Sequence, residues 1–126
     1  MMEKREIGNT GVRVSVVGIG AWQMSGPDTP EGIDHGWGDV DDARSVEIIH
    51  RAEELGVNLV DTADIYGNGH SEEVVGRALE GRRDRWIIAN KGGLMKDPAK
   101  RGTCSDFSAG HIITCWTTSA PRPSRP

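Results

Sequence analysis

The sequence predicts an α/β fold built on a parallel sheet, and three observations predict it. Short apolar runs recur along the chain, helical periods separate them, and each strand–helix unit takes about 30 residues. Parallel neighbours cannot be joined by a tight turn, so this alternation is the pattern of right-handed βαβ crossovers.

The elements follow in order. Residues 4–15, KREIGNTGVRVS, place turn residues Gly8-Asn9-Thr10-Gly11 between short polar–apolar runs, which predicts a hairpin. Val16-Val17-Gly18-Ile19-Gly20 is almost wholly apolar and suits a strand buried on both faces. Residues 23–39, rich in Gly, Pro and Asp, read as a long loop. A helix is expected over 42–55, with Asp39, Asp41 and Asp42 at its start and Val46, Ile49, Ala52 and Leu55 on one face. Gly56 ends it. A second strand is expected over 57–61. A second helix opens at Ser71-Glu72-Glu73, turns Val74, Val75, Ala78 and Leu79 inward and stops at Gly81. Trp86-Ile87-Ile88-Ala89 is the third strand. From about Asp97 the pattern changes. Residues 106–113 can begin a third helix, whereas 114–126, with three prolines in the last six positions, read as a disordered tail.

The totals exclude several classes. A chain of 126 residues is one domain. A net charge of -4 with dispersed basic residues argues against a nucleic-acid partner. The densest basic cluster, Arg82, Arg83 and Arg85, reads as a solvated helix end. The charged start has no apolar core of a signal peptide, and no apolar run approaches the roughly 20 residues of a membrane span. Cys104 and Cys115 are too few for a disulfide framework and lack metal-site spacing, so a reducing cytoplasm is the expected compartment.

Some motifs fail. Gly18-Ile19-Gly20 begins like a dinucleotide fingerprint, but its third glycine falls on Gln23. His70-Ser71-Glu72 lacks the downstream P-C-x-x-C of a zinc deaminase. His35, His50 and His111 have no partners at ligand spacing, so no metal is expected and surface or half-buried roles are.

The informative segment is 56–80, GVNLVDTADIYGNGHSEEVVGRALE, followed by Ile87-Ile88-Ala89-Asn90-Lys91. A strand ends near Asp61, Tyr66 follows five residues later, Ser71-Glu72-Glu73 opens a helix, and the next strand runs into Lys91. With REIGNTGVRVSVVGIGAWQ at the start, this resembles the aldo/keto reductase family over about residues 3–111. The resemblance implies a (β/α)8 barrel, here incomplete: an N-terminal hairpin and about three of eight βα units over 1–113, with 114–126 outside the family pattern. It implies hydride transfer from NADPH to a small aldehyde or ketone, with Asp61, Tyr66 and Lys91 catalytic. It also implies that Gly20, Ala21, Trp22 and Asp61 line the nicotinamide end of the cofactor.

The chemistry stands independently. Hydride reaching a carbonyl carbon leaves charge on the oxygen, which needs a proton donor. A phenol donates sluggishly at neutral pH, and a nearby ammonium favours its ionised form. That ammonium in turn needs a carboxylate to offset its desolvation. Tyr66, Lys91 and Asp61 fit these needs in turn. Each alone reads more simply as loop packing, a surface charge or a turn cap.

The pattern also departs from the family. The family's fourth catalytic residue, a histidine after Y-I-D-L, has no counterpart, since His111 follows Asp106-Phe107-Ser108 at the expected third helix. The family's phosphate-binding segment is not found either, and a whole barrel takes about 250 residues. A frameshift or premature stop would produce this pattern, as would an expression boundary or a naturally short protein. Open sheet edges predict low stability as a monomer and association with copies of itself or a complementary fragment. The expected function is NADPH-dependent carbonyl reduction, with this chain inactive by itself. The alternative is a non-catalytic regulatory or cofactor-sensing protein of the same family.

Overall fold

A computed structural model describes residues 2–27, 36–97 and 102–119. His35 and residues 120–126 of the expected tail lie outside them. Strands β1 (Lys4–Glu6) and β2 (Arg13–Ser15) form the expected antiparallel hairpin, with Lys4 opposite Ser15. Asn58 holds the hairpin against the sheet: its Oδ1 accepts from Ser15 N at 2.7 Å, and its Nδ2 donates to Arg13 O at 3.1 Å. Asn58 immediately precedes a sheet strand, so the hairpin lies at the N-terminal end of the sheet.

The central sheet is parallel, in the order β3 (Ile19–Gly20), β4 (Leu59–Ala63), β5 (Ile87–Lys91). The first of these is shorter than expected. Val16 and Val17 are 46% and 56% exposed rather than buried on both faces. Ser15 Oγ donates to Val17 O at 2.6 Å, so this stretch makes a local side-chain bond outside the sheet. β4 runs two residues beyond the expected end, which puts Asp61 at the middle of the strand rather than at its terminus.

Helix α1 (Asp42–Glu54) starts on Asp41, whose side chain accepts from Arg44 N at 3.1 Å. Ile49 is fully buried, Val46 and Ala52 pack partly against the core, and Leu55, expected on the same face, is 56% exposed. Leu55 is already the C-cap, where the chain leaves the helix for the left-handed Gly56. Helix α2 (His70–Leu79) turns Val74, Val75, Ala78 and Leu79 inward as expected. Burying each Val or Leu contributes about 1.5–3 kcal/mol. These residues meet Val60 of β4, with Trp86 and Ile49, in the single buried apolar cluster among the described residues.

Side chains alternate across a strand. Buried Val60 and Thr62 face α1 and α2, so Leu59, Asp61 and Ala63 face the opposite, inner side of the sheet. Register carries the same parity onto β5: Asp61 pairs with Ala89, and Ala63 with Lys91.

Two features differ from expectation after β5. An antiparallel hairpin, β6 (Leu94–Asp97) and β7 (Gly102–Ser105), follows directly. Helix α3 (Ala109–Thr118) then reaches five residues into the segment expected as tail. It buries none of its residues, so no apolar period was there to be read. Its ends are tied instead: Ser108 Oγ accepts from His111 N at 3.3 Å, and Ser119 Oγ donates to Glu72 at 2.5 Å. None of the described helices is long and apolar enough to cross a membrane.

Candidate active site

The inner face at the C-terminal end of the sheet gathers the expected site. Asp61 and Lys91 sit diagonally across neighbouring strands on one face, within reach of long side chains. Lys91 Nζ donates to Asp61 Oδ1. The same ammonium lies 4.9 Å from the centre of the Tyr66 ring. Partial burial works against the charged lysine, but its contacts with Asp61 and Tyr66 outweigh that and hold its pKa above the ordinary value. Lys91 is therefore an ammonium at neutral pH, with one carboxylate and one phenol as its neighbours.

Tyr66 lies in the 64–69 loop that follows β4, as expected. Its backbone is held at both sides: Tyr66 N donates to Ala63 O and Ser71 N to Tyr66 O, both at 3.2 Å. Gly67 brings this loop against the first βα loop. A Cβ on Gly67 would lie 1.8 Å from Ser25 O, and its φ is +58°, so only glycine fits there.

Besides Asp61, the three residues expected beside a cofactor have different lots. Ala21 is fully buried, and both its backbone polar groups are engaged: N–H donates to Asp61 O at 2.8 Å, and C=O accepts from Ser71 Oγ at 2.7 Å. Since Ser71 spends its proton on Ala21, Thr62 Oγ1 donates to Ser71 Oγ, 3.0 Å away. Ala21 therefore fixes the loop rather than offering a contact. Gly20 faces open space where a side chain would be. Trp22 is 38% exposed and stacks on Tyr66 with centroids 6.0 Å apart and planes inclined by 24°. Trp37, which the sequence did not single out, packs edge-on against Trp22 at 4.8 Å. Trp37 N donates to Gly26 O at 2.8 Å, which brings the end of the long loop back to its start.

Around this centre, several charges are structural. Buried Glu72 accepts from Asn90 Nδ2 at 2.6 Å, tying α2 to β5. Glu53 accepts from Trp86 Nε1 at 3.0 Å and meets Arg85 at 2.9 Å and Arg82 at 3.5 Å. Arg83 donates to Trp86 O at 2.6 Å. The arginine cluster expected as a solvated helix end is thus a clamp on α1 and Trp86. The indole N–H of Trp86 above all, then Arg85 and Arg82, hold the Glu53 carboxyl below its ordinary range despite burial. Burial works against ionisation of Asp42, but hydrogen bonds from Arg77 at 2.5 Å and His70 at 2.8 Å outweigh it and hold that carboxyl low as well. His50 is half-buried, its Nε2 2.8 Å from Ala78 O.

One histidine departs from expectation. His111 does have a partner at ligand spacing: Cys115, one helical turn on, lies with Sγ 3.1 Å from His111 Nε2. The helix that brings the pair together continues past residue 113, where no buried apolar stripe marks it in the sequence. Burial, with the Asp64 carboxylate beside it, pushes the Cys115 thiol above its ordinary pKa.

A parallel sheet with helices on one face, and a carboxylate, an ammonium and a phenol gathered on the other toward the strands' C-terminal ends, describes part of a (β/α)8 barrel, with these groups at the end where such barrels carry their sites. The chain belongs to the aldo/keto reductase family, which it matches over residues 16–123. It is 40% identical to aldo-keto reductase YhdN of Bacillus subtilis (strain 168) over 95 residues, covering 74% of this chain and 26% of that protein. Its structure is similar to that of aldo-keto reductase AKR11C1 from Bacillus halodurans (holo form): the TM-score is 0.76 at 32% identity, over 94% of this chain and 35% of that one. It is also similar to an aldo-keto reductase from Klebsiella pneumoniae in complex with NADPH, with a TM-score of 0.54 at 26% identity over 71% of this chain and 28% of that one. The chain therefore spans about a quarter to a third of the length of the relatives it matches.

Proposed function

We propose that this chain supplies the proton-donating part of an NADPH-dependent carbonyl reductase site, acting on a small aldehyde or ketone. The observation that carries this reading is the Asp61–Lys91 ion pair with the Lys91 ammonium against Tyr66. Tyr66 would donate the proton to the carbonyl oxygen, and a bound nicotinamide would supply the hydride. Lys91 favours loss of that proton, and Asp61 holds Lys91 in place and charged. The exposed ring of Trp22 and the open space at Gly20 receive the nicotinamide end of the cofactor, while Ala21 sets the loop that presents them. The Klebsiella pneumoniae protein with bound NADPH supports a nicotinamide cofactor. The residues that complete the pocket, grip the cofactor phosphates and select the substrate belong to the larger part of a barrel, so the 126-residue chain by itself should oxidise NADPH only at background rate.

The test is a barrel completed by fusing this chain to the remaining strands of a family member. Tyr66→Phe removes only the hydroxyl, so NADPH affinity should hold while turnover of a reactive aldehyde falls by at least the roughly 10²-fold typical of losing a general acid. Near-parent turnover in that variant would show that Tyr66 is not the acid.

A further inference from the structure

A second cluster of chemically active groups lies just beyond the end of β5 and is not used by the reading above. Asp64 leaves the end of β4, its N–H donating to Lys91 O at 3.2 Å. His111 and Cys115 project from one face of α3, four residues apart. One ligand atom from each of the three lies within 4.8 Å of the others. Asp64 Oδ1 is buried and has no hydrogen-bond partner among the described residues, although such a group ordinarily finds one. Gly92 lines the cluster, and a Cβ there would lie 3.1 Å from Cys115 Cβ and 3.4 Å from Asp64 Oδ2.

We propose that Asp64, His111 and Cys115 form a site for a divalent transition metal, zinc by the chemistry of its ligands. A carboxylate, an imidazole and a thiolate are the donors zinc accepts, and tetrahedral zinc does not need a fourth protein ligand. Bonds of about 2.0–2.3 Å set tetrahedral ligand atoms roughly 3.3–3.8 Å apart. The His111–Cys115 distance of 3.1 Å is close to that spacing, and the three ligand atoms, all within 4.8 Å of one another, need to close by no more than about 1–1.5 Å on binding. The helix holds two ligands one turn apart, and the end of β4 supplies the third. On binding, the Cys115 sulfur exchanges its proton for the metal and the proton leaves to solvent, so charge balances. Cys115 also lines a cleft with Lys91, Gly92 and Trp116.

The experiment is a titration of the reduced 126-residue chain with Co²⁺, followed by Zn²⁺. One equivalent of Co²⁺ should produce a thiolate-to-cobalt charge-transfer band, and Zn²⁺ should bleach it. Cys115→Ser should abolish the band, while Cys104→Ser should leave it intact. Asp64→Asn, nearly isosteric, and Gly92→Ala, whose Cβ would crowd Cys115 Cβ at 3.1 Å and Asp64 Oδ2 at 3.4 Å, should each weaken binding by about tenfold or more. No band at saturating Co²⁺ overturns the proposal. So does a band that survives Cys115→Ser, one that follows Cys104, or one that neither Asp64→Asn nor Gly92→Ala weakens.

Discussion

Lys91 stands diagonal to Asp61 on the inner face of adjacent parallel strands, two residues beyond Asp61's direct partner Ala89, and the two side chains close an ion pair there. Both are about half exposed, so the pair adds little to stability. Its consequence is chemical, because it keeps a positive charge against Tyr66.

The first prediction concerns that charge. In the completed barrel, Lys91→Met keeps the stem and removes the ammonium. Turnover should fall by less than with Tyr66→Phe, with NADPH affinity little changed. Stopped-flow reduction of an aromatic aldehyde separates these quantities, and parent-like turnover would rule out a role for Lys91 in proton donation.

A second prediction concerns pH. Asp61 is one of the contacts that hold the Lys91 pKa above its ordinary value. A group raised in this way keeps its contribution below its unfolded pKa and loses it as pH rises through the folded one. Asp61→Asn removes the carboxylate, so the Lys91 pKa drops. The alkaline limb of the turnover profile should move to lower pH, with a milder rate loss at neutral pH than Lys91→Met gives. A limb that stays in place would show that Asp61 does not govern the lysine's charge.

Glu53 supports a third prediction. It satisfies the indole N–H of Trp86, which is 1% exposed, and pairs with two arginines. Glu53→Ala leaves that donor buried and unpaired, and should cost about 2–3 kcal/mol in urea unfolding of the completed barrel. Glu53→Gln keeps an acceptor and should cost less. The Glu53 carboxyl is held low in the folded state. Its contribution is therefore present above the ordinary glutamate pKa and lost as pH falls through the lowered one. The gap between parent and Glu53→Gln should accordingly narrow on acidification, and a gap independent of pH would contradict this account.

Gly67→Ala should destabilise the completed barrel by more than about 1 kcal/mol. Its φ is positive and its Cβ would collide with Ser25 O at 1.8 Å. The same loop carries Tyr66, so turnover should fall along with the melting temperature. An unchanged melt would mean that the two loops do not meet as described.

The 126-residue chain by itself presents Val16, Val17, Phe107, Ile113 and Trp116 to solvent, each at least 46% exposed. Apolar surface of this kind binds dyes and partners. The purified chain should bind a hydrophobic dye or run larger than a monomer in sedimentation. A dye-silent monomer with a sharp cooperative melt would count against that expectation.

Local physics was written into the sequence wherever neighbours along the chain suffice to decide it. The 3.6-residue period placed Val74, Val75, Ala78 and Leu79 inward on α2, glycines 56 and 81 closed the two helices, and the loop after β4 had to carry Tyr66. The candidate triad was legible as an order of residue types. Only the tertiary structure decided what pairing and packing decide. Strand limits depend on a partner, so β4 extends to Ala63 because β5 continues to Lys91 beside it, and that register sets Asp61 and Lys91 on one face. Trp37 reaches Trp22 across a long loop whose length conveys no direction. Helix α3 has no buried stripe to announce it and is secured at its ends by Ser108 and by Ser119 on Glu72. That continuation past residue 113 brings Cys115 to His111, and the end of β4 brings Asp64 to both. Contacts between residues some fifty positions apart are set by how elements dock, and no local pattern encodes the docking.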